Sequence, residues 1–131
     1  MKKIVIDLDG TITIDSAGPY AGKKPNMGVV NKLVEYKSLG YTIVIHTARN
    51  MRTFSGEVGK INVHTLPTII SWLNDHGIPF DEIIVGKPWC GTDGFYVDDK
   101  AIRPSEFASN SLDEILLLLD KENNFKDSGQ E

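Results

Sequence analysis

Asp7 and Asp9 stand two residues apart, directly before Gly10 and Thr11. In an extended chain such a pair points to one side. Gly10 permits a sharp turn there, and the Thr11 hydroxyl is placed to fix it by a hydrogen bond. A second acidic pair, Asp98 and Asp99, follows the apolar run Phe95-Tyr96-Val97. Carboxylates gathered at one place repel, by roughly 1 kcal/mol per pair at about 4 Å in water and about 4 kcal/mol at an effective dielectric near 20. A cation relieves this. All-oxygen donors favour a hard ion, and few protein ligands with retained waters favour Mg²⁺ over Ca²⁺. Lys87 adds a fixed positive charge and Thr47 a hydroxyl donor. Two acids, a metal, a lysine and a hydroxyl suit attack on a phosphoryl group, whose spreading charge needs clamping in the transition state. Taken singly the parts are weak. Asp-x-Asp-Gly-Thr also suits a turn or a calcium-loop fragment, an Asp pair a solvated surface, and a lysine before Pro88 a surface loop.

Placement gives the set its weight. Residues 3–6 are a short β-rich run that ends at Asp7. Apolar residues at Val29, Val30, Leu33, Val34, Tyr36 and Leu39 predict an amphipathic helix over 29–39, with Gly40 at its C-terminal end. The β-branched run Thr42-Ile43-Val44-Ile45 predicts a strand over 41–46, and a polar loop is expected over 50–62. A helix over 66–74 tolerates Pro67 in its first turn and closes at Gly77. Strands are expected over 82–85 and 94–97, and a last helix over 112–119 with Ser111 or Asn110 as N-cap. Alternating strands and helices predict an α/β fold, a mostly parallel sheet with helices on both faces in a three-layer Rossmann-like arrangement. Ligands sit at the carboxyl ends of the strands in such sheets, which is where Asp7, Asp9, Thr47, Lys87, Asp98 and Asp99 would fall.

The composition fits. The chain has 131 residues, 40% of them hydrophobic and 24% charged, enough for one domain with a packed core. That domain is expected over 1–122, with 123–131 as a flexible tail. No apolar run is long enough for a membrane span, and the run after Lys3 is too short for a signal-peptide core. One cysteine, Cys90, excludes an internal disulfide and makes a cytoplasmic location the expectation. The net charge of −4 disfavours nucleic acid and anionic membranes as partners.

At this point the sequence resembles the haloacid-dehalogenase (HAD) phosphohydrolase superfamily. Its first motif looks like Ile4-Val5-Ile6-Asp7-Leu8-Asp9-Gly10-Thr11, its second like Ile43-Val44-Ile45-His46-Thr47, its third like Lys87 and its fourth like Tyr96-Val97-Asp98-Asp99. The resemblance implies roles. Asp7 would be the nucleophile that forms an aspartyl-phosphate. Asp9 would protonate the leaving oxygen and then activate water. The Asp7 carboxylate, the Asp9 backbone carbonyl and the Asp98/Asp99 pair would serve Mg²⁺, and which acid of the pair binds directly stays open. Thr47 and Lys87 would hold the phosphoryl oxygens.

The segment 12–28 holds a hairpin flap and no cap domain, and the stretch between Lys87 and Asp98 is shorter still, so a capless enzyme is expected. Residues 49–64 would place Arg49, Arg52, Lys60 and His64 near the active edge, with arginine forks suited to phosphate or carboxylate. Trp89 would stack on a sugar or base face or pack under its loop. Arg49, Arg52, Lys60 and Trp89 are the candidate substrate-binding residues; Cys90 and His46 are read as packing residues. Lys100 and Arg103 would pair with the acids or touch substrate. The runs 47–52, 86–91 and 98–104 look like a narrower group, small capless HAD proteins assigned to bacterial capsule or surface-polysaccharide biosynthesis, which implies a sugar or polyol phosphate substrate. The apolar run 115–119 covers more than one helix face, which suits packing between elements or a homo-oligomer.

Other classes compete. A receiver-type phosphoacceptor domain has its acidic pair first and its phosphoacceptor later, the reverse of the order here. A scaffold without activity would have no need of all six polar residues. A phosphatase of protein or nucleic acid is compatible with a capless form, although the net charge disfavours nucleic acid.

Overall fold

The computed structural model describes residues 1–129. The chain divides into two compact units, 1–89 and 90–131.

The first unit is built on three parallel strands, β1 (Lys3–Ile6), β2 (Thr42–Thr47) and β3 (Glu82–Val85), in the order β1-β2-β3. The register pairs Ile6 with Ile45, and Thr47 with Val85, so the three carboxyl ends share one edge. On β2, Ile43, Val44 and Ile45 are all buried. Successive strand residues face opposite sides, so both faces of β2 are covered, as its unbroken β-branched run requires. Full burial of each such side chain stabilises the fold by about 1.5–3 kcal/mol.

Helix α1 (Met27–Ser38) contacts β2 and buries Val29, Val30, Leu33 and Tyr36, one helical stripe. Gly40 follows at φ +92°, in the conformation glycine adopts without penalty. Helix α2 (Val58–His64) contacts β3 and α3 (Leu66–Asp75). α3 buries Ile69, Trp72 and Leu73, and ends where the Gly77 and Ile78 N–H groups donate to the Asn74 and Leu73 carbonyls. Asp81 ties three elements together. Its carboxylate accepts from the Ile43 N–H at 2.8 Å and from Lys37 Nζ at 2.5 Å, while its own N–H donates to the Ile43 carbonyl at 2.8 Å. These two donors, the backbone N–H foremost, hold the Asp81 carboxyl below its ordinary value.

Between β1 and α1, the segment 12–28 returns on itself. Thr13 and Pro25 form an antiparallel bridge, and the Ile14 and Asn26 N–H groups donate to the Lys24 and Ile12 carbonyls. A short 3₁₀ turn, Tyr20–Gly22, lies at the far end. The hairpin flap was expected over this segment.

The second unit holds α4 (Pro104–Ser109) and α5 (Leu112–Gly129). Ser111 caps α5 reciprocally: its hydroxyl accepts from the Glu114 N–H, and Glu114 Oε1 accepts from the Ser111 N–H.

Three expectations change. Residues 58–62, read as loop, belong to α2. Its buried Ile61 packs although Gly59 weakens its helical signal. Residues 94–97, read as a strand, are irregular, with Phe95 80% and Val97 88% exposed. Strand propensity expresses fit to a pleated, half-buried surface, and without a ladder it makes no strand. The tail expected from Asn123 is helical to Gly129, and 130–131 lie outside the described residues. Among the described residues no helix is long and apolar enough to cross a membrane.

Candidate active site

The site grows from the turn that ends β1. The Leu8 carbonyl accepts N–H donors from Thr11, Ile12 and Thr13, and Leu8 and Ile12 are buried beneath it. Gly10 takes φ +79° to make this turn, and its N–H donates to Thr13 Oγ1 at 3.2 Å. The buried apolar pair thus anchors a loop whose polar residues face the strand edge.

Asp7 is 34% exposed at its side chain and has two neighbours. The Thr11 hydroxyl donates to its Oδ2 at 3.0 Å, and Lys87 Nζ lies 3.5 Å from its Oδ1. Lys87 comes from the chain just past β3, where Gly86 adopts φ +88° and the Lys87 N–H donates to the Thr47 carbonyl at 3.1 Å. Thr47 itself is buried, and its Oγ1 accepts from the Arg49 N–H at 3.1 Å. A hydroxyl that accepts keeps its own proton for a further acceptor. Asp7, Thr47 and Lys87 therefore stand at one sheet edge, on three different strands' ends.

Asp9 is held differently from Asp7. Arg49 Nε donates to its Oδ2 at 3.0 Å and Arg49 Nη2 to its Oδ1 at 2.8 Å, a two-pronged ion pair. The Arg49 side chain is only 2% exposed, and its guanidinium carbon lies 4.0 Å from the centroid of the Tyr20 ring. Lys23 Nζ is 3.9 Å from Asp9 and 4.0 Å from Asp15. Arg49, expected to grip substrate, instead grips Asp9. Tyr20 and Lys23 were missed in the sequence. Neither has a periodicity or spacing that ties it to Asp9, and only their place in the flap hinted at the site.

The other candidates have neighbours of their own. Arg52 is exposed, with its guanidinium carbon 6.0 Å from the Trp89 ring centroid, and Trp89 is 47% exposed. Lys60, on α2, pairs with Glu57 at 2.9 Å on the surface. His64 stacks on Phe54. In the second unit, Asp98 Oδ1 accepts from the Lys100 N–H at 2.8 Å, and Asp99 pairs with Lys126 of α5. The Lys126 hydrogen bond holds the Asp99 carboxyl below its ordinary value and raises the lysine above its own.

The oxygens of Asp7 are hard donors of the type Mg²⁺ prefers. Asp9 is expected to offer a metal its backbone carbonyl, and its carboxylate is held by Arg49. Among the described residues no group of three or more His, Cys, Asp or Glu side chains stands together as a metal set.

Two solved structures resemble the chain. A structural-genomics target from Vibrio cholerae, solved as a crystal structure, is 59% identical, with 93% of this chain and 99% of that one covered at a TM-score of 0.91. A chain of a Pnkp1/Rnl/Hen1 complex matches at 20% identity and a TM-score of 0.50, over 84% of this chain and 35% of that one, a likeness of fold alone. No protein-family model and no curated protein matches the sequence.

Proposed function

We propose, for a chain that belongs to the same family as the Vibrio cholerae protein, the activity of a phosphomonoester hydrolase of the haloacid-dehalogenase kind. The observation that carries this reading is the state of Asp7. One of its oxygens is tied down by the Thr11 hydroxyl, and the other faces the Lys87 ammonium across 3.5 Å. A carboxylate so oriented, beside a fixed cation, is equipped to attack phosphorus while the lysine neutralises the phosphoryl oxygens.

In this reading an Asp7 oxygen forms a bond to phosphorus as the bond to the leaving oxygen breaks, and Asp9 delivers the proton that oxygen needs. Water then attacks the aspartyl-phosphate, Asp9 takes its proton, and inorganic phosphate leaves with Asp7 restored. Thr47 and Lys87 hold the phosphoryl oxygens through both steps. Mg²⁺ is the proposed cofactor: Asp7, the Asp9 carbonyl and one acid of the Asp98/Asp99 pair would hold it, and it would offset phosphoryl charge. The proposed substrate is a sugar or polyol phosphate of capsule or surface-polysaccharide biosynthesis. The exposed Trp89, with the Arg52 guanidinium carbon 6.0 Å from its ring centroid, supports this, since such a pair suits a sugar ring carrying negative charge.

The test is phosphate release from p-nitrophenyl phosphate and a panel of sugar phosphates, with Mg²⁺ or with EDTA. Wild-type turnover that needs Mg²⁺ and disappears in Asp7→Asn is the expected result. No release from any ester by the folded wild type refutes the reading.

A further inference from the structure

We propose that Arg49 is the positioning residue of Asp9, braced by Tyr20 of the flap, and that this assembly fixes the acid for the proton transfers; the inference rests on the phosphohydrolase reading above. A carboxylate that must serve two successive proton transfers has to keep one orientation. Left alone, the Asp9 side chain, 26% exposed, would turn about two torsions. The Arg49 fork removes that freedom, because two parallel bonds to both oxygens fix the plane of the carboxyl group. The fork takes one lone pair from each oxygen and leaves the others for a proton.

Arg49 is itself immobilised from three directions. Its backbone N–H is bound to Thr47 Oγ1, and its side chain is almost fully buried. The Tyr20 ring covers the guanidinium at 4.0 Å. Stacking of this kind holds the guanidinium in place and leaves no room for a phosphate on that face. The flap that carries Tyr20 is fastened in turn, since the Trp72 indole N–H donates to the Lys23 carbonyl at 2.9 Å. A chain of contacts therefore runs from α3 through the flap to Arg49 and Asp9. It also separates Arg49 from the role of a substrate arginine, whose fork must face the ligand.

Leaving-group chemistry tests this. Nitrophenolate departs without a proton, whereas the alkoxide of a sugar phosphate needs one. Arg49→Lys keeps the charge and loses the fork. With the sugar phosphate, its kcat should fall by about 10²-fold, the scale of a lost general acid, with KM nearly unchanged. With p-nitrophenyl phosphate, a burst of nitrophenolate should persist at close to the wild-type rate and then give way to slow turnover, as water attack lacks its base. Tyr20→Ala, whose ring is 39% exposed and whose loss spares the core, should shift the same substrate ratio, and Tyr20→Phe should restore it. Equal losses on both esters with no burst would overturn the proposal, as would a raised KM at constant kcat, which would make Arg49 a substrate ligand. A wild type inactive on both esters refutes the phosphohydrolase reading itself, and this inference with it.

Discussion

Gly86 joins β3 to the lysine that faces Asp7, and replacing it with alanine perturbs two things at once. Its φ of +88° lies in the left-handed region, where an L side chain costs about 1–2 kcal/mol. The added Cβ would also stand 2.9 Å from Val58 Cγ2 on α2, closer than real Cβ contacts come. Overpacking of this sort costs about 1–3 kcal/mol. Gly86→Ala should therefore destabilise the protein by about 3 kcal/mol, a fall in Tm of roughly 8–15 °C for a domain of this size. Val58 is 43% exposed, so Val58→Ala alone should change little. In the double variant the clash disappears and the backbone strain stays, so about half of the lost stability should return. Thermal and urea unfolding of the four proteins measure this cycle. A Gly86→Ala protein within about 1 kcal/mol of wild type would refute the reasoning, and so would a double variant no more stable than Gly86→Ala alone.

Two further outcomes follow from the fastenings around the sheet and flap. Asp81 has a folded-state carboxyl held below its ordinary value, so the stability it adds is present above that ordinary value, 3.8, and is lost as pH falls through the folded one. Asp81→Asn should melt below wild type at neutral pH, with the gap closing as pH falls below about 5; a gap that stays constant would contradict the assignment. Trp72→Phe removes the indole donor to Lys23 and should cost about 1–2 kcal/mol. Proteolytic nicking within 12–28 should rise in that variant by more than in Ile69→Ala matched for Tm, and equal nicking would show that Trp72 only fills the core.

How much of this was legible in the sequence depended on distance along the chain. The strand over Lys3–Ile6 and the strand over Glu82–Val85 were read directly, because short β-branched runs bounded by polar residues carry their own signal. A turn fixed by the Thr11 hydroxyl was also legible, being local, while its partner Asp7 emerged only from the structure. β2 was read one residue early, which moved Thr47 from inside the strand to just beyond it. Helix α2 was missed because Ser55 and Gly56 announce a turn and Gly59 lowers propensity, while the burial of Ile61 that holds the helix is tertiary. The opposite error occurred at 94–97, where aromatic and β-branched residues signal a strand that has no ladder. The grip of Arg49 on Asp9 was beyond reach. An arginine near a motif looks the same in sequence whether it faces a ligand or a carboxylate, and only the covering Tyr20 ring decides.

The three strands lie side by side in the order in which they are made, and the contacts of the site span long stretches of chain. Arg49 reaches back 40 residues to Asp9, and Lys87 reaches back 80 to Asp7. During synthesis each new strand can dock on the one before it, with no earlier strand having to be displaced. The acidic turn emerges first; Lys23 of the flap follows it, Arg49 arrives with β2, and Lys87 only after β3. Closing so long a loop is entropically slow, and parallel pairing is rewarded only once it is closed. Lys87 joining Asp7 is thus a late event in the folding of the first unit, and a spectroscopic label at Asp7's edge would report its completion.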